Sequence, residues 1–359
     1  MKLSQLINKE TKTYNWDFIE TIPEFIALKD CYQSSKWHGE GSAWNHTKLV
    51  CAEAIKKSSN SGIILMAAAL FHDIGKSKCT IFKNNDYHSY RHEFEGEKIT
   101  RNLLWDEDIT NRELVCLLVR YHMEPYFLTE RDDCLDRLMT LSRNLMGVKT
   151  LLDLNECDII GSIHETPDCT DLDRNRFLRK YAQKLGCYYV DNRMYDHEIK
   201  TINNGNKPLV NINVLIGLPG SGKTTFAEHE LKDHSIILSR DTIREELGYC
   251  KPGEKKVCSF DQEINVTKKF EERLLACVKA GEEVTIDNMN IRRKYREELK
   301  GLLKDYNVLW HYYYIQPEYL ETNIARRDGQ ITSKEINNLR DILSFPHRSE
   351  CDILTYLKS

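Results

Sequence analysis

Two different hydrophobic periodicities divide the chain. Between about residues 44 and 158, apolar positions recur every three or four residues in segments such as SAWNHTKLVCAEAIKK, SGIILMAAALF and NRELVCLLVRYH, which predicts an all-helical region. A further polar helix is predicted at about residues 173–185. After about residue 208, helical segments alternate with the short β-rich runs VNINVLI, SIILS, EEVTID and NVLWHYYYI. This alternation predicts a parallel sheet flanked by helices.

The length and composition fit two globular domains. The chain has 359 residues, 41% of them hydrophobic and 30% charged, and one hydrophobic core seldom organises so long a chain. The Asn-, Asp- and Gly-rich segment DNRMYDHEIKTINNGNKP separates the two periodicities. We therefore expect an all-α helical bundle with a C-terminal helical extension at residues 1–190, a linker at residues 191–208, and an α/β domain at residues 209–359.

Charge and cysteine usage narrow the class of protein. A formal net charge of −4 argues against a generally basic nucleic-acid-binding surface, so a polynucleotide would be held at an end. The twelve cysteines contain no CxxC pair and are expected to be reduced thiols. The N-terminal segment lacks the apolar core of a signal peptide, and no apolar run approaches the length of a membrane span. We expect a soluble cytoplasmic protein with no membrane partner.

The segment GLPGSGKT is a complete GxxxxGK[ST] motif between a predicted strand and a predicted helix, which predicts a phosphate-binding loop for ATP or another nucleoside triphosphate. Lys223 would reach the β- and γ-phosphates, and the Thr224 hydroxyl would bind Mg²⁺. The alternative, a plain glycine-rich turn, does not require Lys and Thr at these offsets. The candidate nucleotide-binding residues are Gly217, Gly220, Ser221, Gly222, Lys223, Thr224 and Thr225.

The segment SRDTIR follows the apolar run SIIL and therefore lies where a strand ends, the edge at which open α/β sheets bind ligands. Asp241 could accept the proton of an attacking hydroxyl. Arg244, three positions later, would lie on the same helical face and could bind a phosphate. The alternative is an N-cap aspartate with a surface arginine.

The phosphate-binding loop followed by SRDTIR resembles the polynucleotide 5′-kinase family over about residues 210–346. The resemblance implies Asp241 as the general base and Arg244 as the ligand of the phosphate next to the 5′-hydroxyl. The family's Asp-x-Thr-Asn turn is matched by DNMN, in which Met289 replaces the threonine. The segment NIARR fits the family's arginine-bearing lid and implies Arg326 as a lid arginine beside Arg327, although an exposed helix end would explain both.

Histidines and aspartates punctuate the helical region in a fixed order. Imidazole and carboxylate ligands from several helices suit Mn, Fe, Co, Ni or Zn rather than Ca. Polar or core histidines are the alternative, but the pair His72-Asp73 ends an apolar helix, where a buried charge is costly. The candidates are His46, His72, Asp73, His92, His122, and either Asp153 or Asp158.

This order resembles the HD phosphohydrolase superfamily, over about residues 37–162. The resemblance implies one or two divalent metals that activate water for attack on phosphorus. One metal would be held by His46, His72, Asp73 and Asp158, and a second site would be completed by His92 and His122 with Asp73 bridging. Asp158 is preferred to Asp153 because the family's last ligand lies within a helix after apolar residues. Lys76 and Arg120 are candidate phosphate contacts, with surface charge as the alternative, and His38 is a candidate substrate contact.

Together the halves resemble the bifunctional HD-domain polynucleotide kinases. The resemblance implies healing of RNA ends, or of DNA ends: the HD half would open or remove a 2′,3′-cyclic or 2′-phosphate, and the kinase half would phosphorylate the 5′-hydroxyl. A separate ligase would then seal the break. Two alternatives stay open: a nucleotidase fused to a nucleoside or nucleotide kinase, and a nucleotide-sensing switch with a silent HD site.

Overall fold

The computed structural model of the protein describes residues 1–58, 62–163, 170–189, 209–251, 258–317 and 331–358. The chain forms two compact units, residues 1–192 and 193–359. The predicted linker at residues 191–208 and the candidate lid arginines Arg326 and Arg327 lie outside the described residues. Within the described part of the chain, no helix has the length and apolar character needed to cross a membrane.

The first unit is built mainly from helices. They are α1 (Leu3–Leu6), α2 (Trp16–Ile19), α3 (Pro23–Ile26), α4 (Ala43–Lys57), α5 (Gly62–Phe71), α6 (Lys76–Cys79), α7 (His92–Leu103), α8 (Ile109–Tyr121), α9 (Glu124–Phe127), α10 (Cys134–Leu145), α11 (Lys149–Gly161) and α12 (Thr170–Lys184), with a 3₁₀ turn at Leu128–Glu130. Two small antiparallel hairpins are added, β1 (Ile7–Asn8) with β2 (Thr13–Tyr14), and β3 (Thr80–Lys83) with β4 (Asp86–Ser89). The helical prediction is confirmed, but the expectation of an all-helical region is wrong at β3 and β4.

Helix α5 is the centre of this unit. Its residues from Leu65 to Phe71 are all buried, and it packs against α4, α8 and α11. The sequence of α5 is almost entirely apolar, so the helix can be surrounded on every side by other helices. Because His72 and Asp73 follow Phe71 directly, both polar side chains are buried next to the hydrophobic core.

A buried ion cluster fixes α7 against α8. The Glu113 carboxylate on α8 accepts hydrogen bonds from Arg101 on α7 (2.7 Å) and from Arg112 (2.6 Å), and all three side chains are buried. Removing one partner of a buried ion pair leaves an uncompensated charge. Since α7 begins at His92 and α8 ends just before His122, the cluster also positions two of the predicted metal ligands.

We therefore expect Glu113→Gln to lower the free energy of unfolding by about 3–5 kcal/mol, because two buried guanidinium groups lose their carboxylate. Urea denaturation followed by circular dichroism measures this change. The matched control is Glu95→Gln on α7, whose carboxylate pairs with Lys98 at the surface and should change stability by less than about 0.5 kcal/mol. Equal effects of the two substitutions would contradict a structural role for the buried cluster.

The second unit is a five-stranded parallel sheet with the strand order β6-β7-β5-β8-β9. The strands are β5 (Val210–Ile216), β6 (Ile236–Leu238), β7 (Val284–Ile286), β8 (Val308–Gln316) and β9 (Ile353–Lys358). The helices are α13 (Lys223–Phe226), which continues into a π-helical turn at Ala227–Leu231, α14 (Arg240–Glu246), α15 (Phe260–Ala280), α16 (Arg293–Leu302) and α17 (Ser333–Asp341), and a 3₁₀ turn lies at Arg348–Glu350. The predicted parallel sheet is confirmed, and β9 is an additional strand.

Candidate active sites

The first unit gathers the predicted metal ligands from five places in the helical bundle. The side chains come from α4, from the turn after α5, from the start of α7, from the end of α8 and from α11. Each is at most 7% exposed, and they are His46, His72, Asp73, His92, His122 and Asp158. The structure places these six side chains in two adjoining groups of three whose ligand atoms lie within 4.8 Å of one another.

The first group joins His46, His72 and Asp158. The His46 Nε2 atom lies 2.9 Å from Asp158 Oδ1, and His72 Nε2 lies 3.7 Å from the same oxygen. Asp158 Oδ2 accepts a hydrogen bond of 2.9 Å from the Tyr126 hydroxyl, which sequence reasoning did not identify. Asp158 therefore directs Oδ1 toward the two histidines, whereas its Oδ2 is engaged by the Tyr126 hydroxyl.

The second group joins Asp73, His92 and His122. The two Nε2 atoms of the histidines are 3.1 Å apart, and they lie 3.3 and 3.8 Å from Asp73 Oδ1. Gly75 allows this approach, because a Cβ atom there would stand 2.0 Å from the carbonyl oxygen of His92. A side chain at position 75 would push the start of α7 away from Asp73.

Asp73 lies between the two groups. Its Oδ1 faces His92 and His122, whereas its Oδ2 lies 3.3 Å from His72 Nε2 and 3.7 Å from His46 Nε2. A carboxylate with its two oxygens directed at different ligand groups is placed to bridge two cations.

The outer nitrogens of three histidines are engaged by the backbone. The Nδ1 atoms of His72, His92 and His122 lie 2.7–2.8 Å from the carbonyl oxygens of the residues three positions earlier. A ring that donates from Nδ1 presents a lone pair at Nε2, which is the usual arrangement of metal-binding histidines. The fourth histidine, His46, has its Nδ1 2.8 Å from Glu40 Oε1.

The electrostatics of the centre also suit a cation. Burial, together with His92 and His72, lowers the pKa of His122 to about 3. Burial opposes ionisation of Asp73, but Lys76 and His72 hold the pKa of this carboxyl well below its usual range. Within the described part of the chain, the buried His72 Nε2 has no hydrogen-bond partner. A donor set of imidazoles and carboxylates with an unsatisfied buried nitrogen fits a divalent transition metal.

The flanking candidates differ in their surroundings. Lys76 is buried, with Nζ 2.7 Å from Asp73 Oδ2 and 2.5 Å from Gln33 Oε1, so its interpretation as surface charge is wrong. Arg120 packs on the Phe94 ring, 3.0 Å from its centroid, and faces carboxylates of α7. His38 is half-buried, 2.9 Å from Glu40 Oε1.

Asp153, the alternative to Asp158, lies elsewhere in the bundle. Its carboxylate lies 2.5 Å from Lys149 Nζ and 2.8 Å from Arg179 Nη1. It therefore joins α11 to α12 and is in neither ligand group.

In the second unit, the phosphate-binding loop connects β5 to α13. Gly220 and Gly222 both have φ of +81°, which side chains with a Cβ rarely adopt. A Cβ at Gly217 would stand 2.5 Å from Ser221 Oγ. The Lys223 ammonium donates to the carbonyl oxygens of Gly217 (3.0 Å) and Leu218 (2.8 Å), so it lies inside the loop where phosphate would bind. Thr225 lies on the exposed side of α13.

A hydroxyl–carboxylate pair adjoins the loop. Thr224 Oγ1 donates a hydrogen bond of 2.7 Å to Oδ2 of Asp287, the residue that follows β7. Burial raises the pKa of Asp287, and the hydrogen bond from Thr224 and the charge of Lys223 oppose this rise. In nucleotide-binding proteins with this loop, such a pair holds Mg²⁺. Asn290 donates to the Leu215 carbonyl (2.8 Å) and ties the DNMN turn to β5, whereas Met289 is exposed.

Asp241 and Arg244 lie side by side on α14. Arg244 Nη1 lies 2.5 Å from Asp241 Oδ1, and the same guanidinium makes a two-pronged contact with Glu263 on α15, at 2.7 and 2.9 Å. The N-cap of α14 is Ser239, whose hydroxyl accepts from the Asp241 amide, so the N-cap interpretation of Asp241 is wrong. Glu263 is a partner that sequence reasoning missed.

Comparison with protein families assigns both units. Residues 46–149 match the family described as HD domain, and residues 212–346 match the family described as AAA domain. The chain is therefore similar to HD domains in its first unit and to AAA domains in its second, and the second match includes the phosphate-binding loop. The search of curated proteins gave no match.

Solved structures with similarity to the chain include a chain of the Pnkp1/Rnl/Hen1 RNA repair complex, 22% identical, covering 40% of this chain and 50% of that one, with a TM-score of 0.31. Others are a sugar kinase from Janibacter (19% identical, 42% and 86% covered, TM-score 0.31) and the APS kinase CysC from Mycobacterium tuberculosis (15% identical, 42% and 89% covered, TM-score 0.31). The chain spans about half the length of the repair-complex chains that it matches.

Proposed function

We propose that the protein heals broken RNA ends with two separate active sites. The kinase domain transfers the γ-phosphoryl group of ATP to a 5′-hydroxyl end. The HD domain hydrolyses the 2′,3′-cyclic phosphate or 2′-phosphate at the other end. Many ribonucleases leave this pair of ends, and ligation commonly requires a 5′-phosphate and a 3′-hydroxyl, so a separate ligase would complete the repair.

The observation that carries the kinase proposal is the Asp241–Arg244 pair. The phosphate-binding loop, Asp241 and Asp287 follow β5, β6 and β7, which are neighbours in the sheet, so all three meet at its carboxyl edge. Asp241 and Asp287 are near enough for their charges to interact, since the charge of Asp241 contributes to raising the pKa of the Asp287 carboxyl. A base at this edge lies beside the phosphoryl group that the loop would hold.

Arg244 supports a polynucleotide acceptor rather than a free nucleoside. Glu263 holds the guanidinium from one side, which fixes its orientation beside Asp241. The terminal nucleotide of a polynucleotide carries a phosphodiester close to its 5′-hydroxyl, whereas a nucleoside has none. A guanidinium next to the base would bind that phosphodiester and place the hydroxyl against Asp241.

The HD proposal rests on the two ligand groups that share Asp73. When bound, divalent metals would neutralise charge on phosphate oxygens and lower the pKa of a bound water molecule. His46, His72 and Asp158 would hold one metal, His92 and His122 the other, and Asp73 both. Lys76 keeps Asp73 ionised and adds a positive charge beside it.

The acceptor is tested by competition. Purified protein receives labelled ATP, Mg²⁺, a 5′-hydroxyl RNA oligonucleotide and a mixture of free nucleosides, and the labelled products are separated. We expect the label on the oligonucleotide. Arg244→Lys should raise the KM for the oligonucleotide about tenfold or more and leave the KM for ATP unchanged. Lysine cannot make the two-pronged contact with Glu263 that orients the positive charge beside Asp241. Label on nucleosides alone would contradict the proposal and favour a nucleoside kinase.

A further inference from the structure

A cavity of about 200 Å³ lies beside the HD ligand groups, and Lys76, which contacts Asp73, is part of its lining. It lies between the segment after α3 and the β3–β4 hairpin. The lining includes the aromatic residues Tyr32, Phe82 and Tyr87, together with Asp30, Cys31 and Lys76.

The aromatic side chains form a cluster at the surface. Phe82 and Tyr87 are cross-strand partners in the hairpin, with ring centroids 4.9 Å apart, and the Tyr32 ring lies 6.0 Å from that of Tyr87. Tyr32 is 55% exposed and Phe82 is 61% exposed. Grouped exposed aromatic side chains typically mark a binding surface rather than a folding element.

The cavity lies next to the metal centre at Lys76. Lys76 lines it, and the Nζ atom of the same lysine lies 2.7 Å from Asp73 Oδ2. Tyr32 is followed by Gln33, whose side-chain oxygen holds that Nζ, and Glu40 on the same segment contacts His46. Lys76 thus links the lining of the cavity to Asp73.

We propose that this cavity binds the base of the terminal nucleotide whose phosphate is processed at the HD centre. The inference rests on the proposed function of the HD domain. The volume suits one planar ring system, since a cavity of about 150 Å³ is known to accept benzene. The lining includes Asp30, whose negative charge disfavours a phosphate there, so we place the phosphate on the Asp73 side of Lys76 and the uncharged base in the cavity.

Stacking explains why aromatic side chains surround the cavity. Every base has a π-face, so rings of Tyr32, Phe82 and Tyr87 would hold any terminal base with little sequence preference. The cavity would therefore distinguish a nucleotide end from a phosphate ester without a base, while tolerating all four bases.

Binding is tested first without catalysis. An RNA oligonucleotide with 2-aminopurine at its 3′-terminal nucleotide is titrated with the full chain in the presence of a chelator, because stacking quenches this fluorophore. We expect quenching with the wild-type protein, and an affinity lowered about 5- to 100-fold by Tyr32→Ala and by Phe82→Leu. The matched control, Phe177→Ala, removes an exposed aromatic residue of α12 outside the cavity and should leave the titration unchanged. Unchanged affinity in both cavity variants would overturn the proposal.

Hydrolysis separates failure of this inference from failure of the proposed function. The metal-loaded protein is given RNA ending in a 2′,3′-cyclic phosphate, with the terminal nucleotide either intact or abasic. We expect the wild-type protein to have a kcat/KM about 5- to 100-fold higher for the intact end, and Tyr32→Ala to reduce that ratio toward one. Equal hydrolysis of both ends by the wild type would overturn base binding alone. Hydrolysis of neither would contradict the proposed function, while the fluorescence titration still decides base binding.

A protein partner would give a different result. If the aromatic cluster joined two copies of the chain, Tyr32→Ala and Phe82→Leu would lower the mass measured by sedimentation and leave the titration unchanged. That result would also overturn the proposal.

Discussion

Asp73→Asn is expected to abolish phosphoester hydrolysis by the HD domain, with a loss of about 100-fold or more, and to leave kinase activity intact. Changes to side chains that only support metal ligands already cost about 10- to 100-fold. Asp73 faces both ligand groups directly, so its replacement should affect both. The substitution also leaves the buried ammonium of Lys76 without its carboxylate, and a lower Tm should accompany the loss.

Metal content and hydrolysis are measured together in this variant. We expect the bound metal, counted by mass spectrometry of the purified protein, to fall along with hydrolysis of RNA 2′,3′-cyclic phosphate. The matched control is Asp153→Asn, which removes a buried aspartate that lies in neither ligand group. Its folded fraction should retain the metal and the activity. Full metal content and full activity in Asp73→Asn would contradict the assigned centre.

Asp241→Asn is expected to lower the rate of phosphoryl transfer by about 100- to 10,000-fold, the range for loss of a general base. Asparagine keeps the shape of the side chain but cannot accept the proton of the attacking hydroxyl. Affinity for ATP should not change, because Asp241 lies on α14 and outside the phosphate-binding loop. Hydrolysis by the HD domain should also be unaffected.

Single-turnover kinetics with a 5′-hydroxyl RNA oligonucleotide measure this effect. Glu246→Gln is the matched control, since it neutralises a carboxylate at the end of the same helix that pairs with Arg273. We expect it to transfer phosphate at the wild-type rate. If Asp241→Asn also transferred phosphate at that rate, another group would have to be the base.

The sequence predicts the main elements because their periodicities are strong. The continuous apolar segment of α5 reflects burial on every side of that helix. The alternation of β-rich and helical segments that becomes β5 to β8 reflects strands that are buried in a sheet between helices. The missed hairpin is short and its positions are half-buried or exposed, so it has no hydrophobic pattern. The turn did leave a signal in the sequence, the pair Asn84-Asn85. Both residues adopt positive φ, +52° and +62°, as the two central residues of a tight hairpin turn require.

The candidate sites likewise contain some residues that the sequence identifies and others that it does not. Sequence motifs identify residues whose chemistry is unusual for their position, such as His72-Asp73 or Lys223-Thr224. Partners such as Glu40, Tyr126 and Glu263 are ordinary surface residue types in the sequence, and only the tertiary fold brings them to His46, Asp158 and Arg244. No local pattern identifies such partners.

The two aspartates of α11 show this limit clearly. Asp153 and Asp158 are five positions apart, so they point to different sides of one helix. Both are buried and both contact charged or polar partners. Periodicity alone does not say which side faces His46. The packing of α11 against α4 and α12 decides it.

The most direct test of two end-healing sites in one chain uses a single RNA. A stem-loop RNA is cleaved to leave a 2′,3′-cyclic phosphate and a 5′-hydroxyl, then incubated with the protein, ATP, Mg²⁺ and Mn²⁺, and both fragments are examined by intact mass spectrometry. We expect a phosphorylated 5′ end and an opened or removed cyclic phosphate. We also expect Asp241→Asn to lose only the first change and Asp73→Asn only the second. Modification of neither RNA end, together with turnover of free nucleotides, would contradict end healing by this protein.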